Sequence, residues 1–249
     1  MGRLDGRVAL VTGAARTGSI GRAIAVALAH EGSDIAVNDL GREREAEEVA
    51  EIIRGIGRKA LIIPADVSKV SECQRMVQET VRHFGRLDIL VNNAGGGRNQ
   101  RFEDISESDY DQQLDLHLKG PFFAAQAAVP HMQAQGYGRI VNISSHLAYV
   151  GFPTSAHYVI AKAALRTLTK CLALALAPGI TVNAVCPGPT ATERFKARAE
   201  FVDEDREKLL LKRWGRPEDV ARSVLFLVSP DGDAYTGQTL DPNCGAAMP

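Results

Sequence analysis

Apolar residues in this chain cluster in short runs. Val8-Ala9-Leu10-Val11 is the first, and similar runs recur at 35–39, 60–65, 87–91, 139–144 and 180–185, with a last short one at 237–240. Runs of this length, rich in Val, Ile and Leu and bounded by turn residues, predict strands covered on both faces. Between them the spacing changes to the helical period. Residues 22–30 put Ala23, Ile24, Ala27 and Leu28 on one side, and 43–56, 70–84, 106–132, 156–177 and 217–228 also read as helices. Their ends carry start and stop signals: Gly57 after the second, Ser106 or Ser108 before the fourth, Pro178 and Gly179 after the fifth, Pro217 in the first turn of the sixth. Gly120-Pro121 is expected to bend or interrupt the fourth helix. Alternating strands and helices predict an α/β fold: a single-domain, doubly wound parallel sheet of about seven strands, helices on both faces, in the order 3-2-1-4-5-6-7. Residues 191–212 are charged and irregular. They predict a partly helical lid over a pocket, or else a solvated helical insertion without a gating role. No repeat, linker or low-complexity segment divides residues 1–249.

Composition narrows the class without changing the fold. The 249 residues are 45% hydrophobic with a net charge of −1, enough for a sizeable core and unlike a nucleic-acid or polybasic membrane face. No apolar run reaches the roughly 18–20 residues that span a bilayer. The N-terminus is polar, so a cytoplasmic protein is expected. Cys73, Cys171, Cys186 and Cys244 are far apart and predict free, mostly buried thiols. The six His residues show no ligand spacing, and no catalytic metal is expected.

Three stretches carry candidate chemistry. Thr12-Gly13-Ala14-Ala15-Arg16-Thr17-Gly18-Ser19-Ile20-Gly21 joins the first strand to the first helix. Strand, Gly-rich turn and helix together present backbone N–H groups and a positive helix end to a pyrophosphate. The second strand ends at Asp39, whose carboxylate can accept hydrogen bonds from a ribose diol and repel a 2′-phosphate; a helix cap or a solvated acid is the plainer alternative. The third stretch runs from Ser145 to Lys162. Tyr158 and Lys162 stand at i and i+4, on one helix face. A cation beside a phenol stabilises the phenolate, so the phenol pKa falls from about 10 toward working pH. Such a phenol can trade a proton with an alcohol oxygen, and Ser145 can hold that same oxygen. Tyr-x-x-x-Lys by itself is common by chance on ordinary surface helices.

Taken in order and spacing, the motifs resemble the short-chain dehydrogenase/reductase family over nearly the whole chain. They are Thr12-Gly13 through Gly21, Asp66-Val67, Asn92-Asn93-Ala94-Gly95, Ser145, Tyr158-x-x-x-Lys162, Pro187-Gly188, Arg216-Pro217-Glu218-Asp219-Val220-Ala221 and Gly237-Gln238-Thr239. The resemblance implies a Rossmann-type fold and hydride transfer between a nicotinamide and a carbinol carbon, as in 3-oxoacyl reductases and secondary-alcohol dehydrogenases. It implies Tyr158 as general acid or base, Lys162 beside it and on the nicotinamide ribose, and Ser145 orienting the reacting oxygen. It implies a cofactor held by Gly13, Arg16, Ser19, Ile20 and Gly21 at the pyrophosphate, and by Asp39 and Leu40 at the adenosine ribose. Asp66 and Val67 would meet the adenine, and Asn93, Ala94 and Gly95 the adjoining ribose region. Tyr158, Lys162, Pro187, Gly188, Thr190 and Thr192 would border the nicotinamide. Ser145, His146, Leu147, Phe152 and Tyr158 are expected to meet the substrate. Tyr149, Gly151, His157, Gly96, Gly97 and the 191–212 segment would complete that pocket.

Three departures stand out. The family spaces its loop glycines more closely than Gly13, Gly18 and Gly21, so either Gly18 or Ser19 takes the middle position. His117 stands where the family has an Asn that kinks the long helix and holds a water linked to the Lys. His117 can keep a proton relay with altered pH dependence, or make only a structural bond. Asp241-Pro242-Asn243-Cys244-Gly245 replaces an Asp-Gly-Gly ending, with an expected effect on packing. Asp39 favours NAD(H) over NADP(H), against a counter-signal from Arg16, Arg42 and Arg44. The expected function is an NAD(H)-dependent oxidoreductase of a secondary alcohol or ketone. An NADPH-dependent 3-oxoacyl-thioester reductase is the alternative, and a catalytically silent dinucleotide sensor the rival of another class. The partner is a small alcohol or ketone, with neither nucleic acid nor membrane, and the resemblance implies a homotetramer.

Overall fold

Residues along a strand point alternately to the two faces of a sheet, and here that alternation separates two cores. The computed structural model describes residues 2–97, 99–197 and 203–248. Among them the strands are β1 Val8–Val11, β2 Asp34–Asp39, β3 Ala60–Pro64, β4 Ile89–Asn92, β5 Gly138–Ile143, β6 Ile180–Val185 and β7 Thr239–Leu240. They form one parallel sheet in the order β3-β2-β1-β4-β5-β6-β7, as the strand–helix pattern predicts. Ala9, Val11, Ile35, Val37, Ile89, Val91 and Val141 face one core, which α1 (Ile20–His30), α2 (Glu43–Gly55) and α10 (Pro217–Val228) close. Leu10, Ala36, Leu90, Ile140 and Val182 face the other, which α3 (Val70–Phe84), α5 (Gly120–Gln135) and α7 (Ala156–Leu176) close. Both faces are buried, which is why the strands are rich in apolar residues on both sides.

The long predicted helix 106–132 is three pieces. α4 (Glu107–Leu114) begins at Ser106, whose hydroxyl accepts the Asp109 N–H at 3.1 Å. A π turn at Asp115–Lys119 follows, then α5. The break precedes Gly120-Pro121 instead of falling on it. Pro121 has no N–H for the His117 carbonyl, so the ladder is weakened one turn earlier. Gly120 also packs so tightly that a Cβ there would lie 2.4 Å from the Val67 carbonyl oxygen. Two short helices follow β5 and β6, α6 (Leu147–Val150) and α8 (Glu193–Lys196), and α9 (Asp203–Glu207) comes after them. Residues 198–202 of the predicted lid lie outside the described residues. Cys73, Cys186 and Cys244 are buried, Cys171 is exposed, and all four are free. Cys244 takes a left-handed conformation (φ 55°), and its carbonyl accepts the Leu211 N–H at 3.2 Å, so the altered tail ties down the chain after α9. No helix among the described residues is long and apolar enough to cross a membrane.

Candidate active site

The chain order reverses between β1 and β4, and in open parallel sheets the crevice at that switch point receives the ligand. Here the crevice is a cleft of about 700 Å³. Thr12 sets its floor: its hydroxyl accepts the N–H groups of Asn93 and Ala94, each at 2.9 Å, and the Asn93 amide returns to the Thr12 and Gly13 carbonyls at 2.8 and 3.1 Å. Gly13 has φ 63°, and a Cβ there would meet the Ala94 backbone at 2.8 Å, so only Gly fits. Gly18 makes the second left-handed turn, and Ser19 caps α1 by accepting the Arg22 N–H at 3.2 Å. The two therefore share the task that one glycine would serve. The α1 N-terminus and this loop form a cradle that fits a pyrophosphate.

At one end of the cleft the Asp39 carboxylate accepts the Ala15 N–H at 2.8 Å and the Leu40 N–H at 2.9 Å. Arg42 stands 4.0 Å away, engaged with Glu45. Asp66 lies nearby; burial opposes its charge, but the Ser68 hydroxyl and N–H outweigh that and hold its carboxyl below the usual range.

At the other end β5 hands over to Ser145, whose hydroxyl accepts the Leu147 N–H at 3.2 Å and keeps its own proton to donate. Lys162 is buried. Its ammonium donates to the Ile143 carbonyl at 2.6 Å, while the Ser144 hydroxyl holds the Lys162 carbonyl at 2.8 Å. Burial pushes the Lys162 pKa down to about 8, which leaves it largely charged at neutral pH. Its nitrogen lies 5.9 Å from the centre of the Tyr158 ring. His117, inside the π turn, meets the same ring edge-on at 5.0 Å and donates through Nε2 to the Gly96 carbonyl at 3.0 Å. Burial, then the Lys162 charge, hold His117 well below the ordinary imidazole range, so the ring is neutral.

Every residue predicted for cofactor, proton transfer or substrate lines this one cleft, from Gly13 and Asp39 to Tyr158, Lys162, Pro187 and Thr192. Gly96 and Gly97 line it too. Three wider pocket expectations are corrected. Tyr149, Gly151 and His157 do not line it: Tyr149 lies under the Arg166 guanidinium at 3.6 Å, and His157 turns away to Gln100 at 3.1 Å. On a helix the residue before Tyr158 points about 100° away from it, which is why adjacency misleads. The 191–212 segment does reach the cleft, through Thr192, Arg194 and Phe195, of which the sequence reasoning singled out Thr192 but neither Arg194 nor Phe195 of α8. Nothing in their spacing distinguishes them from the other charged and apolar residues of 191–212. Among the described residues no group of His, Cys, Asp or Glu could hold a metal ion.

Residues 13–247 match the family described as enoyl-(acyl carrier protein) reductase. A 3-oxoacyl-[acyl-carrier-protein] reductase FabG of Staphylococcus aureus is 43% identical over 96% of this chain and 98% of its own. The chain belongs to the short-chain dehydrogenase/reductase family. It is an NAD(P)-dependent oxidoreductase acting on CH–OH groups. Among short-chain dehydrogenase/reductase structures, one from Serratia marcescens aligns with a TM-score of 0.92 at 38% identity, covering 99% of this chain and 100% of that one. A short-chain dehydrogenase from Burkholderia cenocepacia in complex with NADP aligns with a TM-score of 0.92 at 38% identity, covering 98% and 99%.

Proposed function

We propose that the protein interconverts a secondary alcohol and a ketone with NAD(H), with Tyr158 as the proton-transfer group. The observation that carries this is the buried Lys162 ammonium set beside the Tyr158 ring in the dinucleotide cleft. In the oxidation direction the carbinol carbon loses hydrogen with its bonding pair, the O–H pair becomes the second C–O bond, and the proton passes to the Tyr158 oxygen. The nicotinamide, when bound, takes up that hydride. Ser145 donates to the reacting oxygen and fixes its distance from Tyr158. Lys162 stabilises the phenolate that receives the proton, and reduction runs the same steps in reverse.

Asp39 supports NAD(H). Its carboxylate stands at the adenosine end, and a 2′-phosphate there would meet like charge. Asp39→Ala is expected to raise KM for NADH about tenfold and to move the NADH-to-NADPH preference ratio toward NADPH by at least that factor. Kinetics with both cofactors check it, and a wild type that strongly prefers NADPH defeats the reading. The name of the S. aureus relative and the NADP of the Burkholderia structure favour a second reading, an NADPH-dependent 3-oxoacyl-thioester reductase. Arg16 and Arg42, which also line the cleft, support it. Turnover of an acyl thioester with NADPH, and none of simple ketones with NADH, decides for it.

His117 is assigned a positioning role, holding the Gly96 carbonyl and the Tyr158 ring edge. Because burial keeps it neutral across the working range, His117→Asn is expected to retain activity within about tenfold and to leave the pH–rate profile above about pH 6 unchanged. A shifted profile would restore the relay expectation. Exposed Phe122, Ile160 and Leu174 on α5 and α7 support a homotetramer, which light scattering measures.

A further inference from the structure

The pairing of β5 with β6 runs on past the strand ends. Ile143 stands opposite Val185, the Ser144 N–H donates to the Val185 carbonyl at 2.7 Å, and the His146 N–H donates to the Pro187 carbonyl at 3.0 Å. His146 has helical backbone angles (φ −59°, ψ −28°) where the chain turns into α6. Its side chain meets the same Pro187 oxygen through Nδ1 at 3.1 Å. A carbonyl oxygen only accepts, so Nδ1 carries the ring proton. Burial outweighs that bond and holds the His146 pKa below the ordinary imidazole value, so at neutral pH the ring has no second proton. Nε2 is then a bare lone pair. It has no hydrogen-bond partner among the described residues, and it is open to solvent. His146 lines the cleft beside Ser145, together with the apolar Leu147 and Phe152. Turning the ring over to offer a donor instead would break the Pro187 bond. The residue next to Ser145 therefore brings a fixed acceptor to the cleft.

We propose that His146 determines specificity: its Nε2 accepts a hydrogen bond from a second hydroxyl of the substrate. The substrate class is then hydroxy ketones and diols, with that hydroxyl one or two carbons from the reacting carbon. The proposal rests on the hydride-transfer reading above, which puts the reacting oxygen on Ser145 and Tyr158. Leu147 and Phe152 have no polar side-chain atom, so the hydroxyl goes to His146 while the hydrocarbon meets the other two. A methyl ether of the same compound keeps the oxygen but has no proton to give, and it sets a methyl group against the Nε2 lone pair. Solvent reaches Nε2 in the free protein, so binding exchanges a water for the hydroxyl. The discrimination expected is about tenfold, far below that of a fully buried acceptor.

The test uses hydroxyacetone, acetoin and 4-hydroxybutan-2-one, each beside its methyl ether, with NADH and NADPH. In the wild type at least one hydroxy ketone is expected to exceed its ether in kcat/KM by about tenfold. His146→Asn is expected to bring that ratio near one through KM for the hydroxy ketone. Its amide N–H can still serve the Pro187 carbonyl, as Nδ1 does, but nothing replaces Nε2. His146→Gln, whose longer side chain carries an amide oxygen out toward the Nε2 position, gives an intermediate ratio. A wild type that reduces the ethers as well as the hydroxy ketones, or a ratio that survives His146→Asn, overturns the proposal and leaves hydride transfer standing. No ratio, but a raised KM for the dinucleotide in His146→Asn, also overturns it and gives Nε2 to the nicotinamide amide. If no compound is reduced, ligand-observed NMR with dinucleotide present compares binding of each hydroxy ketone and its ether. Hydroxyl-dependent binding that His146→Asn abolishes upholds the acceptor site while the hydride-transfer reading fails. No turnover and no hydroxyl-dependent binding sinks both.

Discussion

Tyr158→Phe is expected to lower turnover about a thousandfold or more while dinucleotide binding survives. In the proposed mechanism the phenol oxygen is the atom that trades the proton, and the substitution removes that atom alone. A thousandfold corresponds to about 4 kcal/mol of transition-state stabilisation, the scale of a well-placed acid–base group. The ring stays, and with it the edge contact to His117 at 5.0 Å, so the melting temperature should hold within a few degrees. Steady-state kcat with a responsive ketone and calorimetric titration of the dinucleotide measure the two halves. Turnover within tenfold of wild type would move the proton transfer to another group. A wild type that binds dinucleotide and turns over nothing in a broad panel would favour the sensor.

Lys162→Met is expected to destroy activity and yet stabilise the fold. The ammonium is buried, and burial lowers its pKa from the model-compound 10.5 to about 8. Between those two values the native protein binds fewer protons than the unfolded chain, so wild-type stability rises with pH across that window. Below about pH 8 the whole penalty is present, about 3 kcal/mol for the shift. Met removes the penalty and keeps most of the volume, at a cost of about 1 kcal/mol for the bond lost at the Ile143 carbonyl. The net gain at pH 7 is then about 2 kcal/mol, and it should shrink as pH climbs from 8 to 10.5. Urea unfolding without dinucleotide at pH 7 and pH 10 measures it. A variant less stable than wild type at pH 7, or a gain that does not shrink, contradicts the assignment. In the proposed mechanism the same ammonium supports the Tyr158 phenolate, so activity should fall at least about a hundredfold.

The strands were legible because a sheet covered on both faces favours apolar residues on both sides of a strand, and Val8-Ala9-Leu10-Val11 leaves no other reading. Tyr158 and Lys162 were legible because four residues along a helix is a fixed geometry. The long helix was misread at its middle. Pro121 signals a break, but its missing N–H acts one turn earlier, at Asp115–Lys119, and Gly120 packs there against the Val67 carbonyl. Tyr149 and His157 were drawn into the pocket by proximity in sequence, and the turn of α6 and α7 takes them out.

By itself, then, the sequence determined the order of strands and helices, the Gly-rich turn before α1 and the pairing of Tyr158 with Lys162 on one helix face, since each depends on spacing within a few residues. The tertiary structure alone decided that burial disfavours the charged forms of His117 and Lys162, and that Arg194 reaches the Gly97 carbonyl beside the Tyr158 ring. Desolvation and the meeting of distant segments set those properties, and neither is written in local spacing.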